Sequence, residues 1–267
     1  MTGKKFTAFF IGWYLAILLT NATAGAIGTA VAVFPGANLT HLQQSTELSA
    51  GAGVSTGDII TTDRTGQVQL IFNDETRVAI GPNSRFIVED VALKSGGTAS
   101  RFAVSAVAGS FRFITGKSKK SAYAINTPTA TMGIRGTVFD FVVRKRHGTD
   151  LVIFSGEVRM CSKDGNCFKV VGECAAVQMD TAGNFSTVKK KADKRDLIAH
   201  GFLFVSAQQQ LAPEFRAEVR SCGRDVVGPL PQPKDNSAAP QRSPTPQPPG
   251  PPEPQDPPEP PIEPGGI

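Results

Sequence analysis

From Val54 onward the chain swaps short apolar runs for turns about every ten residues, and that tempo excludes most folds. Ile59-Ile60, Val68 to Phe72, Val78 to Ile80 and Phe86 to Val91 are runs rich in β-branched and aromatic residues. Asp63-Arg64-Thr65-Gly66, Asn73-Asp74-Glu75 and Gly81-Pro82-Asn83-Ser84 divide them with residues that favour turns. The alternation in Gln67 to Phe72 suits a strand with one wet face. Thr29 to Phe34 reads as a first strand ended by Pro35-Gly36. Arg101 to Val107 and Ser110 to Ile114 read as two strands around Gly109, and Leu151 to Phe154 and Val158 to Met160 as two more. No helix of ordinary length fits before residue 189. The expected class is mainly β: a short-strand sandwich or roll, with a solenoid-like winding left open because the period is too irregular for true repeats.

The stretch from Asn126 to Val143 is the least ordinary part of that β region. Pro128 biases Thr127 toward extended backbone. Gly133 and Gly136 mark positions where a turn, a bulge or a close-passing backbone leaves no room for a Cβ. Val138 to Val143 reads as a largely buried strand interrupted by Asp140. Arg135, between the glycines, has two readings: it projects toward a partner's carboxylate, or it pairs internally with Asp140 or Glu157. The internal pair is the preferred one, because a buried Asp140 needs a counter-charge. It requires a one-residue bulge at Gly136, since five residues along a regular strand put Arg135 and Asp140 on opposite faces.

Thr127 to Phe139, T-P-T-A-T-M-G-I-R-G-T-V-F, resembles the signature segment of the FecR-like domain, and the resemblance extends through strands in the same order over roughly Gly51 to Val188. It implies that Thr127, Pro128, Gly133, Arg135, Gly136, Thr137 and Asp140 form a partner-binding or structural motif. It also implies a β-rich periplasmic domain that receives a signal from an outer-membrane transporter, behind a membrane helix and a cytoplasmic anti-sigma segment. Here only Met1 to Lys5 precede the apolar stretch, so the expectation is a free-standing exported member without the anti-sigma segment. The family tends to place an acid after Gly-Thr, where this sequence has Val138.

The flanks set the expected compartment. Lys4 and Lys5, the apolar run Phe6 to Leu19 and Ala22-Thr23-Ala24 read as a signal peptide over residues 1–24, with a retained N-terminal anchor as the alternative. The run is short for a membrane span, which needs ~20 residues. Residues 25–50 then read as linker and first strand, 51–188 as the FecR-like β domain, and 189–228 as a helical extension in which Leu197, Ile198, Phe202, Leu203, Val205 and Leu211 share a face. The extension is expected to cap the end of the β structure. Of the 20 prolines, 16 fall from Pro229 to Pro264, which makes 229–267 a disordered proline-rich tail. The protein is expected in the periplasm or secreted.

In an exported chain Cys161, Cys167, Cys174 and Cys222 favour disulfides. Cys161 with Cys167 across a tight polar turn, and Cys174 with Cys222, is the preferred of three connectivities; a zinc site with His147 is the disfavoured alternative. Net charge is +5, too small a balance to argue for nucleic acid. No nucleophile elbow, phosphate loop, dinucleotide fingerprint or zinc-protease motif is present, so neither catalysis nor a cofactor is expected. Asp140 and Glu157 are the residual acid pair, read as structural. The expected partner is an envelope protein. The basic loops Lys117–Lys120 and Arg144–Arg146 read first as solvated loops; an anionic polysaccharide or lipid headgroup bound through them is the alternative.

Overall fold

The computed structural model describes residues 25–219 and Cys222. The expected signal peptide and proline-rich tail lie outside the described residues.

Among the described residues, fifteen strands form one continuous sheet that does not close on itself. The first seven are β1 (Gly28–Phe34), β2 (Ala37–His41), β3 (Gln44–Glu47), β4 (Gly53–Val54), β5 (Ile59–Thr62), β6 (Gln67–Phe72) and β7 (Arg77–Ile80). Residues 25–50 are thus three strands of the sheet, with β1 pairing antiparallel to β6 and β4. β8 (Arg85–Leu93) leads into β9 (Ala99–Ile114), one strand of 16 residues where the sequence suggested two. Gly109 bends β9 at φ +108° without ending it, because its ladder continues through Ser110 to Ile114 against the next long strand. A bend of that sign is strained for any residue with a Cβ.

After β10 (Tyr123–Asn126) come two 15-residue strands, β11 (Ala130–Arg144) and β12 (Gly148–Ser162). β10 is a wedge: it runs parallel to β9 and antiparallel to the start of β11. Beyond the wedge β9 and β11 pair directly, from Val138 opposite Ile114 to Val143 opposite Gly109. β13 (Cys167–Val171), β14 (Ala176–Met179) and β15 (Phe185–Thr187) complete the sheet beside β12.

The sheet wraps one large core. Phe72, Phe86, Phe102, Phe111, Phe113, Phe139 and Phe141 are fully buried in it, with ring pairs such as Phe111 and Phe141 at 5.0 Å and Phe72 and Phe102 at 4.8 Å. Most aromatic side chains among the described residues are therefore buried, at about 1.5–3 kcal/mol per fully buried ring. Beyond the strands, α1 (Lys191–Gly201) and α2 (Leu203–Ser206) are followed by two 3-10 turns, Gln208–Gln210 and Pro213–Phe215. The extension is not one continuous apolar face, because the helix breaks at Phe202, whose backbone is extended. It does not cap the end of the sheet either. It lies across the outer face, where Phe202 and Val205 pack on Val142, Val152 and Phe154, and Phe204 and Phe215 pack on Ala79. That explains why Leu151 to Phe154 is apolar at every position: alternate residues face the inner core and the extension.

Candidate functional site

The FecR-like motif divides the outer face of the sheet in two. In β11 and β12, Arg135 lies opposite Glu157, Val138 opposite Ser155, and Phe139 opposite Ile153. The register therefore slips by one residue first on β11 and then on β12. Gly136 takes φ +60° and Gly156 φ +82°, both in the region glycine favours. Thr137 pins the irregularity: its N–H donates to Thr115 Oγ1 at 2.9 Å, its Oγ1 donates to the Glu157 carbonyl at 3.0 Å and accepts from the Arg135 N–H at 3.1 Å. Before the bulge Met132 and Ile134 point into the core; after it Phe139 and Phe141 do. The bulge shifts the alternation by one, so Arg135 and Asp140 share the outer face.

Of the two motif glycines only Gly136 has a conformational reason to be glycine. Gly133 was expected to lack room for a Cβ, but nothing lies within 4 Å of where one would sit. The crowded position is Gly156, where a Cβ would run into the Gly136 carbonyl. Gly156→Ala should lower stability by about 2–3 kcal/mol, from the backbone conformation together with the clash, read as a fall in melting temperature. Gly133→Ala should leave it nearly unchanged.

The expected pairing of Arg135 with Asp140 or Glu157 does not form. Asp140 is buried and is directly opposite Arg112 of β9. Arg112 donates to it in a fork, Nε to Oδ1 at 2.6 Å and Nη2 to Oδ2 at 2.8 Å. Burial pushes the Asp140 carboxyl above the usual carboxylate range, while the Arg112 guanidinium opposes the shift. Arg112 is fully buried, and its remaining donors hold the extension. Nη1 reaches Gln208 Oε1 at 2.9 Å, and Nη2 reaches the Phe204 carbonyl at 3.0 Å. Its guanidinium carbon sits 5.2 Å from the centre of the Phe154 ring. Gln208 Oε1 also accepts from the Ala217 N–H at 2.7 Å. Glu157 pairs with Lys169 at 2.7 Å.

Arg135 is left in solvent on the other half of the face. Across β11, β12 and β13, Gly133, Arg159 and Lys169 form one cross-strand row and Arg135, Glu157 and Val171 the next. Arg135 and Arg159 are exposed, and neither makes a side-chain hydrogen bond or ion pair among the described residues. Thr127 and Pro128 form the corner that leads into this half. The buried Thr127 hydroxyl accepts from the Ala130 N–H at 2.9 Å and contacts the Thr149 hydroxyl at 3.1 Å, while Pro128 is exposed.

The cysteines form Cys161–Cys167 and Cys174–Cys222. The first braces the β12–β13 hairpin, its cysteines being register partners. The second ties the end of the extension to the strand region. This leaves no thiolate for the zinc alternative, and no cluster of metal-ligating side chains exists among the described residues. In the basic loops Arg144 pairs with Asp150 and Lys117 with Glu75.

Sequence reasoning missed Arg112, Gln208 and Gly156. A signal for the first was present: Phe111-Arg112-Phe113 and Phe139-Asp140-Phe141 are matching triplets of opposite charge, and they lie directly opposite each other.

No curated protein matches the chain. Two crystal structures of a candidate anti-sigma factor from Parabacteroides distasonis are similar to it, each at 13% identity and a TM-score of 0.41. The matched region covers 54% of this chain and 65% and 64% of theirs. The FecR protein family matches residues 58–159, a span that runs from β5 to β12 and includes Arg112, Arg135 and Asp140. The part of the sheet that carries both the buried pair and the exposed arginines is thus the part that matches the FecR protein family.

Proposed function

We propose that this FecR domain is a non-enzymatic, extracytoplasmic module that binds a protein partner in envelope signalling or sensing. The family match supports the signalling role. The observation that carries the partner reading is the open half of the outer face, where Arg159 on the disulfide-braced β12–β13 hairpin and Arg135 on the neighbouring β11 stand exposed and, among the described residues, unpaired. Rigid strands presenting exposed cations suit an acidic docking surface on another protein, and charge of this kind governs encounter rate and partner choice more than affinity. Thr127, Pro128, Gly133, Gly136 and Thr137 then shape the surface from which Arg135 projects. In this reading the open half of the outer face within residues 51–188 meets the partner, with residues 189–219 covering the other half. Two disulfides fit an oxidising compartment. Among the described residues no helix is long and apolar enough to cross a membrane.

The test is capture of partners from the cell envelope with wild type and Arg135→Ala side by side. Melting should be unchanged, as for most surface substitutions (within about 0.5 kcal/mol), while a captured band is lost or weakened. Equal capture by both proteins contradicts the reading.

A further inference from the structure

A second charged feature lies where the β8–β9 turn meets the loop before β10. A cavity of about 320 Å³ opens there, and Lys94, Lys117, Lys119, Thr98, Ser100 and Ser121 line it. No acidic side chain does. We propose that this cavity is a binding site for a phosphate group, free or carried on a lipid headgroup.

The backbone that presents the lysines is fixed from below. Ser118 is buried between Lys117 and Lys119; its hydroxyl donates to Asp74 Oδ2 at 2.6 Å and accepts from the Ala99 N–H at 2.6 Å. Asp74 is itself fully buried, takes a further hydrogen bond from the Tyr123 hydroxyl at 2.8 Å, and its carbonyl accepts from the Lys117 N–H at 2.8 Å. Lys94 enters from the other side, where a tight turn closes with the Lys94 N–H donating to the Thr98 carbonyl at 2.7 Å. Two separately anchored segments thus bring three lysines around one concavity.

Lys117 is partly neutralised by Glu75 at 3.1 Å, but Lys94 and Lys119 make no ion pair among the described residues. Like charges held around one cavity repel, and a bound anion relieves that repulsion. Lysine binds phosphate as a compact point charge with three rotatable donors. The Thr98 and Ser121 hydroxyls supply further donors to phosphate oxygens, whereas the Ser100 hydroxyl donates to the Ala92 carbonyl at 3.0 Å. A phosphate monoester carries about −1.5 to −2 charge at neutral pH, closer to balancing the cluster than a single carboxylate does.

Titrating the full chain with inorganic phosphate at constant ionic strength tests the site. The expected result is saturable one-site binding that weakens at least tenfold in Lys94→Gln/Lys119→Gln and is unchanged in Lys145→Gln, in the other basic loop. Vesicles of phosphatidylcholine with and without phosphatidic acid identify the source. Binding to the phosphatidic acid vesicles that is lost in the double variant points to a headgroup; phosphate binding without vesicle binding points to a soluble phosphate. Absence of saturable binding, equal binding by wild type and the double variant, or equal weakening in Lys145→Gln overturns the proposal. It stands independently of the partner reading, since Arg135 takes no part in the titration.

Discussion

Asp140→Ala should be among the most destabilising single substitutions in this protein, by about 3–5 kcal/mol. The reason lies in what it leaves behind. Arg112 is fully buried, and without Asp140 its charge has no counter-charge in a face closed by Phe154, Phe204 and Phe215. Replacing a buried ion pair with two apolar residues is often neutral, but not here, because Arg112 also supplies the donors for Gln208 Oε1 and the Phe204 carbonyl. Arg112→Met/Asp140→Leu should therefore remain destabilised, and residues of the extension should become sensitive to protease before the strands do. In a protein of this size the single substitution corresponds to a fall in melting temperature of roughly 10 °C or more. A fall within a degree or two, with the extension still protected, would show that the pair is not what seats it.

The second large effect concerns the disulfides, which are unequal. Cys174–Cys222 joins residues 48 apart, whereas Cys161–Cys167 joins residues six apart. By loop-closure entropy the first should contribute about 4 kcal/mol and the second about 2. Cys174→Ala/Cys222→Ala should therefore cost roughly twice as much as Cys161→Ala/Cys167→Ala. It should also act locally, since Cys222 anchors the end of a segment whose apolar contacts otherwise rest largely on a few aromatic and aliphatic side chains. Denaturant unfolding of both double variants measures the ratio. Equal losses would mean that the extension is held by packing alone.

Local signals made the class of fold legible in the sequence. Turn residues and β-type runs alternate at a spacing only a β protein shows, and Cys161 and Cys167 bracket a turn too short for any other pairing to compete easily. What stayed hidden was long-range register. Nothing local says that Phe111-Arg112-Phe113 lies against Phe139-Asp140-Phe141, so Asp140 was given an arginine close by in sequence, Arg135, in place of the one directly opposite it in space. The bulge at Gly136 was inferred correctly, but from a pair that does not exist: it does put Arg135 and Asp140 on the same face, and the extension then covers only one of them. Gly109 looked like a strand end because a glycine often is one; the sheet instead uses its positive φ to bend a long strand without breaking its ladder. Gly133 and Gly156 exchanged importance for a similar reason, since crowding depends on which backbone crosses above a residue, and sequence carries no sign of that.

The central claim is that the bulge splits the outer face of the sheet, with one half sealed under the extension around Arg112 and the other open around Arg135. Arginine modification by phenylglyoxal in the native protein, followed site by site by mass spectrometry, tests both halves at once. Arg135 and Arg159 should react quickly and at similar rates, while Arg112 should stay unmodified until the protein unfolds. Arg112 reacting alongside them, or Arg135 protected in the isolated protein, would contradict the account.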